Sequence, residues 1–212
     1  MIQIAMFTFS PIEENTYLLY NETGQAVLVD PGCYFQEEKE ELAAFIESHQ
    51  LKLEKLLQTH CHLDHVFGLK WAAEQWQLQP HLHANEEKVL QWAPASGKMW
   101  NLPFDNYEGP VHHLQAGQEI RMGNDTLTVL FAPGHSPGHV CFYCKAQGFV
   151  IGGDVLFQGS IGRTDLPGGS HWQLLDSIRT QLFTLPEEIV VYSGHGPATT
   201  IGEEKRSNPF FN

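Results

Sequence analysis

Short apolar runs separated by polar breaks dominate the start of the chain. Residues 2–9, 16–20 and 26–29 each read as a strand, divided by Ser10-Pro11 and by the turn Asn21-Glu22-Thr23-Gly24, and Asp30-Pro31-Gly32 ends the meander. The period then lengthens. Leu42, Phe45 and Ile46 recur at helical spacing opposite acidic residues, which predicts an amphipathic helix over 37–49. Leu51, Leu53, Leu56 and Leu57 predict a strand over 51–58, and Val66, Leu69, Ala73 and Trp76 predict a helix over 66–76.

Further on, 80–83 reads as a short strand and Asn85 as the N-cap of a helix through Gln91. The stretch 94–110, with Trp100, Phe104 and Tyr107, has no clear period. It fits either a packed loop or one wall of a substrate cleft. Gly123-Asn124-Asp125 joins strands 119–122 and 126–132, and 140–144 with 149–151 forms another hairpin. A glycine-rich loop over 155–169 precedes Ser170-x-x-Gln173, a capping box opening a helix to about Phe183, and 188–192 is the final strand. No linker, low-complexity tract or long repeat interrupts this order. Strands followed by helices, twice over, predict an α/β (α+β) protein with two sheets face to face and helices outside both, residues 1–212 forming one domain.

Between the predicted strand 51–58 and the helix after it lies Thr59-His60-Cys61-His62-Leu63-Asp64-His65. On a chain leaving a strand end, His60 and His62 face one side and Cys61 the other, while Asp64 and His65, at the helix start, address a second point. A lone His-x-His is more often a surface tract. Three later strand ends supply partners, however: His135, Asp154 and His195, each beside glycine, which lets the backbone turn sharply under the ligand. The pattern predicts two metal sites: His60, His62 and His135 on one ion, Asp64, His65 and His195 on the other, and Asp154 bridging them. His81 and His83 repeat the spacing without the Asp-His that follows, and are read as strand residues. Cys141-x-x-Cys144 lies in an apolar run and is read as structural.

Composition narrows the function. A length of 212 residues with 42% hydrophobic content supports one large core. The balance of 12 basic against 25 acidic residues, net −13, argues against a nucleic-acid partner. The N-terminus lacks a basic region and a cleavage site, and no apolar run approaches a membrane span, so a cytoplasmic location and no membrane partner are expected. Four cysteines form no disulfide framework.

The seven ligands in this order resemble the metallo-β-lactamase superfamily, which implies its four-layer αββα sandwich. Within it, Pro133-Gly134-His135-Ser136-Pro137-Gly138-His139, Gly152-Gly153-Asp154, Gly162-Arg163-Thr164-Asp165, Ser193-Gly194-His195-Gly196-Pro197 and Ser207-Asn208-Pro209-Phe210 are similar to glyoxalase II, in particular its short bacterial form. That resemblance implies a monomeric hydrolase acting on a small-molecule thioester, S-D-lactoylglutathione or a related 2-hydroxyacyl-glutathione. Attack is expected from a hydroxide bridging two divalent ions, with Asp64 as a catalytic residue that orients the nucleophile. Imidazole and carboxylate ligands suit zinc first, and also iron or manganese. Arg163 is the expected contact for a substrate carboxylate, with Tyr143 and Lys145 as further substrate contacts. The alternatives are a persulfide dioxygenase with a single iron, a lactonase-type hydrolase of the same fold, and a metal-binding module without turnover.

Overall fold

Alternation along the strands decides the layering. The computed structural model describes residues 1–211. Its first half comprises β1 (Gln3–Phe9), β2 (Glu14–Tyr20), β3 (Gln25–Val29), α1 (Gln36–Ser48), β4 (Lys52–Leu57), α2 (Leu63–Val66), α3 (Leu69–Trp76), β5 (Pro80–His83), α4 (Glu87–Met99) and β6 (His112–Leu114). The second half comprises β7 (Glu119–Met122), β8 (Asp125–Phe131), β9 (Val140–Cys144), β10 (Phe149–Gly153), β11 (Leu156–Phe157), β12 (Ser160–Ile161), α5 (His171–Ser177), β13 (Val190–Ser193), β14 (Thr199–Thr200) and α6 (Ile201–Ser207).

One sheet has the order β1-β2-β3-β4-β5-β6 and the other β14-β13-β10-β9-β8-β7. Tyr17, Leu19, Val27 and Val29 point inward to meet Phe142 and Ile151 between the sheets. Their neighbours Leu18, Ala26 and Leu28 point outward beneath Leu42, Ile46 and Leu69 of the flanking helices. In the second sheet Cys141, Tyr143 and Val150 point outward to Leu174, Ile178 and Ile201. Strands apolar on both faces, packed in three cores, give the predicted αββα sandwich. Each fully buried leucine contributes roughly 1.5–3 kcal/mol.

Strand direction brings the loops of interest to one edge. β3, β4, β5 and β6 run parallel because helices make the crossovers, and β10 runs parallel to β13. The segments leaving β3, β4, β10 and β13 therefore lie at strand carboxyl ends, joined there by the segment after β8.

Several elements differ from expectation. The helix predicted over 66–76 starts earlier, at Leu63, and breaks after Val66. Gly68 N donates to Pro31 O (2.8 Å), and a Cβ at Gly68 would overlap Cys33 Sγ, so the chain turns where only glycine fits. The helix predicted to end at Gln91 continues to Met99, through Pro94. Proline offers no N–H to Leu90 O, and the Asn106 side chain donates to that carbonyl instead (2.8 Å). The irregular part of 94–110 thus begins only after the helix. His83, not Asn85, caps the turn before α4, its ring nitrogen accepting from Asn85 N. The short elements β6, β14 and α6 have no counterpart in the sequence pattern.

Candidate metal centre

The structure brings the seven predicted ligands together at the rim between the sheets. His60 and His62 leave β4, and His62 caps α2 in an extended conformation (φ −64°, ψ 156°), so that Asp64 and His65 fall in the first helical turn. His135 follows β8, Asp154 follows β10 and His195 follows β13.

Two donor sets result. His135 Nε2 lies 2.8 Å from His62 Nδ1 and 3.1 Å from His60 Nε2. Three ring nitrogens crowded on one point could hold a cation. In the second set His195 Nε2 is 3.1 Å from Asp64 Oδ2, and His65 Nε2 is 3.8 Å from the same oxygen. Within each set the donor atoms all lie within 4.8 Å of one another. Asp154 stands between them, with Oδ1 3.4 Å from His65 Nε2 and Oδ2 3.5 Å from His135 Nε2 and 3.7 Å from His195 Nε2.

The electrostatics separate the sets. Burial holds His60 well below its ordinary value and brings His62 to about 3; it also lowers His135, and the neighbouring imidazoles add to these shifts. All three are thus neutral, the form that binds metal. Burial alone would also depress His65, yet the Asp154 and Asp64 carboxylates raise it well above the usual range. Burial opposes ionisation of Asp64 and Asp154, but His65 holds both below the usual carboxylate range. His65 Nε2 and Asp154 Oδ1 are buried without a hydrogen-bond partner, as atoms reserved for a cation would be.

Residues beyond the predicted set hold this geometry. Asp30 accepts from Thr59 N (2.7 Å) and Thr59 Oγ1 (2.5 Å), and its Oδ2 lies 3.0 Å from His65 Nδ1. That contact directs Nε2 to the rim, a carboxylate orienting a ligand imidazole. An Asp30→Asn variant is expected to bind metal about 10–100-fold more weakly, measured by chelator competition. Unchanged affinity would remove Asp30 from that role. The fully buried Glu14 also faces His65, with Oε1 3.8 Å from Nδ1, and burial raises its carboxyl well above the usual range. Asn15 Nδ2 bonds Ser193 O (3.1 Å) and Gly196 O (2.9 Å), fixing the His195 loop to β2. Asp154 N donates to His139 Nε2 (3.1 Å). Glu86 ties Cys61, Ser136 and Gly138 together. The sequence signal for Asp30 was its position at a strand end, where it reads only as a strand stop; the others carry no local signal.

Gly134 sets the His135 turn. Its φ is +137°, and a Cβ there would overlap Leu174 N of α5. Gly134→Ala is expected to lower stability by roughly 2–3 kcal/mol, seen as a lower urea midpoint.

The rim opens into a cavity of about 630 Å³ whose walls include His62, Asp64, His135, Asp154 and His195. Ala95, Ser96, Met99 and Trp100 line it, so α4 supplies a cleft wall from within the 94–110 stretch. Arg163 also lines it, but its guanidinium is bound to Asp165 by two contacts of 2.8 Å, while its carbonyl lies 2.8 Å from His135 Nδ1. Tyr143 and Lys145 are elsewhere. Tyr143 points outward into the core under α5, and Lys145 is exposed in the β9–β10 turn, about 15 Å of strand from the rim. Both follow the His135 loop in sequence, but strand parity turns one away and strand length removes the other. Cys141 and Cys144 belong to opposite cores. Among the described residues no helix is long and apolar enough to cross a membrane.

Known proteins resemble this chain over nearly its whole length. The family model for the metallo-beta-lactamase superfamily matches residues 10–195. A probable metallo-hydrolase, YqgX of Bacillus subtilis, is 41% identical over 203 residues, covering 95% of this chain and 94% of the relative. The hydroxyacylglutathione hydrolase GloC of Haemophilus influenzae is 36% identical over 213 residues, covering 100% and 99%. Two crystal structures share the fold: BLEG-1, a B3 metallo-beta-lactamase (TM-score 0.90, 38% identity, 99% of this chain and 100% of that one), and TTHA1623 in a di-iron-bound form (TM-score 0.88, 39% identity, 97% and 99%). With its ligand order, its layered fold and the extent of these matches, the chain belongs to the metallo-beta-lactamase superfamily.

Proposed function

We propose that the protein is a binuclear metallohydrolase that cleaves a thioester of the 2-hydroxyacyl-glutathione type, with S-D-lactoylglutathione as the reference substrate. One observation carries this reading: two donor sets share one rim, with the Asp154 carboxylate 3.4 to 3.7 Å from imidazole nitrogens of both. The likeness to GloC, a hydroxyacylglutathione hydrolase, supports the substrate class.

The residues fit a pair of divalent ions. His60, His62 and His135 would hold one, Asp64, His65 and His195 the other, and Asp154 both; the orphaned His65 Nε2 and Asp154 Oδ1 are the buried atoms such ions would satisfy. The donors are imidazole and carboxylate, and Cys61 takes no part, because it is packed in the core with Val66 and Leu69 and burial raises its thiol well above the usual range. Zinc suits this set first, with iron or manganese also compatible. Such ions supply a water that ionises near neutral pH and positive charge for the carbonyl oxygen.

The chain's own groups do the positioning. Asp64 lines the cavity as an ionised carboxylate, an acceptor for a proton of the attacking water. Asp30 holds the His65 ring, and Arg163 O holds the His135 ring. Leu63 and Phe157 line the cavity beside the rim with apolar surface.

The test combines metal analysis with three assays on the metal-loaded protein: lactoylglutathione hydrolysis, oxygen uptake on glutathione persulfide, and turnover of a lactone and a β-lactam. Two ions per chain with thioester turnover is the expected result. One iron per chain with oxygen uptake and no thioester cleavage would establish the dioxygenase alternative instead.

A further inference from the structure

The helix α4 turns large apolar side chains to water. Trp92 is 52% exposed, Met99 86% and Trp100 55%, although burying such groups is favourable and exposed apolar clusters of this kind mark binding surfaces. With Ser96 between them, these positions are spaced by four, three and one residues and form one stripe on the helix. The stripe lines the same cavity as His62, Asp64, Asp154 and His195, and Leu63, Phe157 and Leu166 complete an apolar lining around it. Charge points the same way. Among the described residues Arg163 is the single lysine or arginine on the cavity wall, and Asp165 holds its guanidinium with two contacts of 2.8 Å. Away from the metal rim the wall therefore offers no other fixed basic side chain to a substrate's carboxylates.

We propose that the α4 stripe formed by Trp92, Met99 and Trp100 is the binding wall for an uncharged, apolar acyl chain of medium length. This rests on the thioesterase reading and specifies the acyl side of its substrate. A thiol carrier such as glutathione bears two carboxylates and stays at the wet mouth of the cavity, which leaves the acyl group as the part that meets the wall. Lactoyl, with a single methyl group, leaves the stripe uncovered. The chemistry is plain hydrolysis: water's oxygen forms the new bond to the carbonyl carbon, the carbon–sulfur bond breaks, and the thiol takes the second proton.

The test is a glutathione thioester series, lactoyl, 2-hydroxyhexanoyl and 2-hydroxyoctanoyl, on the metal-loaded protein. Each added methylene is expected to raise kcat/KM roughly threefold, so 2-hydroxyoctanoyl exceeds lactoyl by on the order of 100-fold. The double variant Trp92→Ala, Met99→Ser, at exposed positions the fold tolerates, should reduce that ratio to below about tenfold. In parallel, calorimetry should show 2-hydroxyoctanoate binding the wild-type protein at least about tenfold tighter than lactate, with the advantage lost in the double variant. A flat series together with equal binding of the two acids would overturn the proposal. If the acids bind in the expected order while no thioester is cleaved, the wall stands and the thioesterase reading fails. A wild-type dimer in sedimentation that the double variant dissociates, with chain-length selectivity unchanged, would make the stripe an interface between copies and also overturn the proposal.

Discussion

An Asp154→Ala variant is expected to retain about one metal ion per chain in place of two and to lose thioester kcat/KM by a factor on the order of 10³, the scale of removing a group that organises transition-state charge. Asp154 is the residue that both donor sets share, its oxygens facing His65, His135 and His195. It is buried, and its Oδ1 has no hydrogen-bond partner. Such a carboxylate is costly to bury unless positive charge compensates it. Alanine leaves His60, His62 and His135 as a complete nitrogen corner but deprives Asp64, His65 and His195 of the group joining them to it. The fold should persist, since Asp154 makes its backbone contact to His139 through an N–H that alanine keeps. Metal analysis and circular dichroism, run beside the kinetics, check all three parts. A variant with two ions and wild-type turnover would place Asp154 outside the working site.

The second large effect concerns Glu86, which touches no predicted ligand. Its Oε1 accepts from Ser136 Oγ and Gly138 N, both at 2.6 Å, and its Oε2 from Cys61 N at 2.8 Å. One buried side chain therefore joins the loop carrying His60 and His62 to the loop carrying His135. Burial pushes its carboxyl above the usual range, while the three donors pull the other way. Glu86→Ala leaves three buried donors without an acceptor and is expected to destabilise the metal-free protein by about 4 kcal/mol in urea unfolding. Because the two loops lose their common anchor, metal affinity should also fall about 10–100-fold. Glu86→Gln keeps an oxygen for the two shorter contacts but turns an amide N–H₂ toward Cys61 N, so it should fall between wild type and alanine in both measurements. Wild-type metal affinity in a destabilised Glu86→Ala variant would reduce Glu86 to a purely structural anchor.

Much of this centre was legible because its chemistry is local. In His60-x-His62-x-Asp64-His65 the spacing alone decides which side chains converge, and His135, Asp154 and His195 were marked by glycine beside a ligand at a strand end. The two-sheet layering was legible too, since each half of the chain repeats strands followed by helices. The placement of the expected substrate contacts was not. Tyr143 and Lys145 stand close to the His135 loop in sequence, but their direction depends on which face of β9 meets which core. Arg163 reached the cavity with its guanidinium already committed to Asp165.

By itself the sequence determined the candidate ligand types, their order along the chain and the layering of two sheets between helices, because these follow from short-range spacing and from the period of apolar residues. Only the tertiary structure decided what supports them: Asp30 against His65, Asn15 across the His195 loop, and Glu86 between two loops that approach from different strands. It also decided that α4 runs through Pro94, since the carbonyl that proline leaves unpaired is satisfied by Asn106, beyond the end of the helix. A buried polar group's partner is whichever donor or acceptor packing delivers to it, and packing joins residues whose separation along the chain carries no trace of the contact.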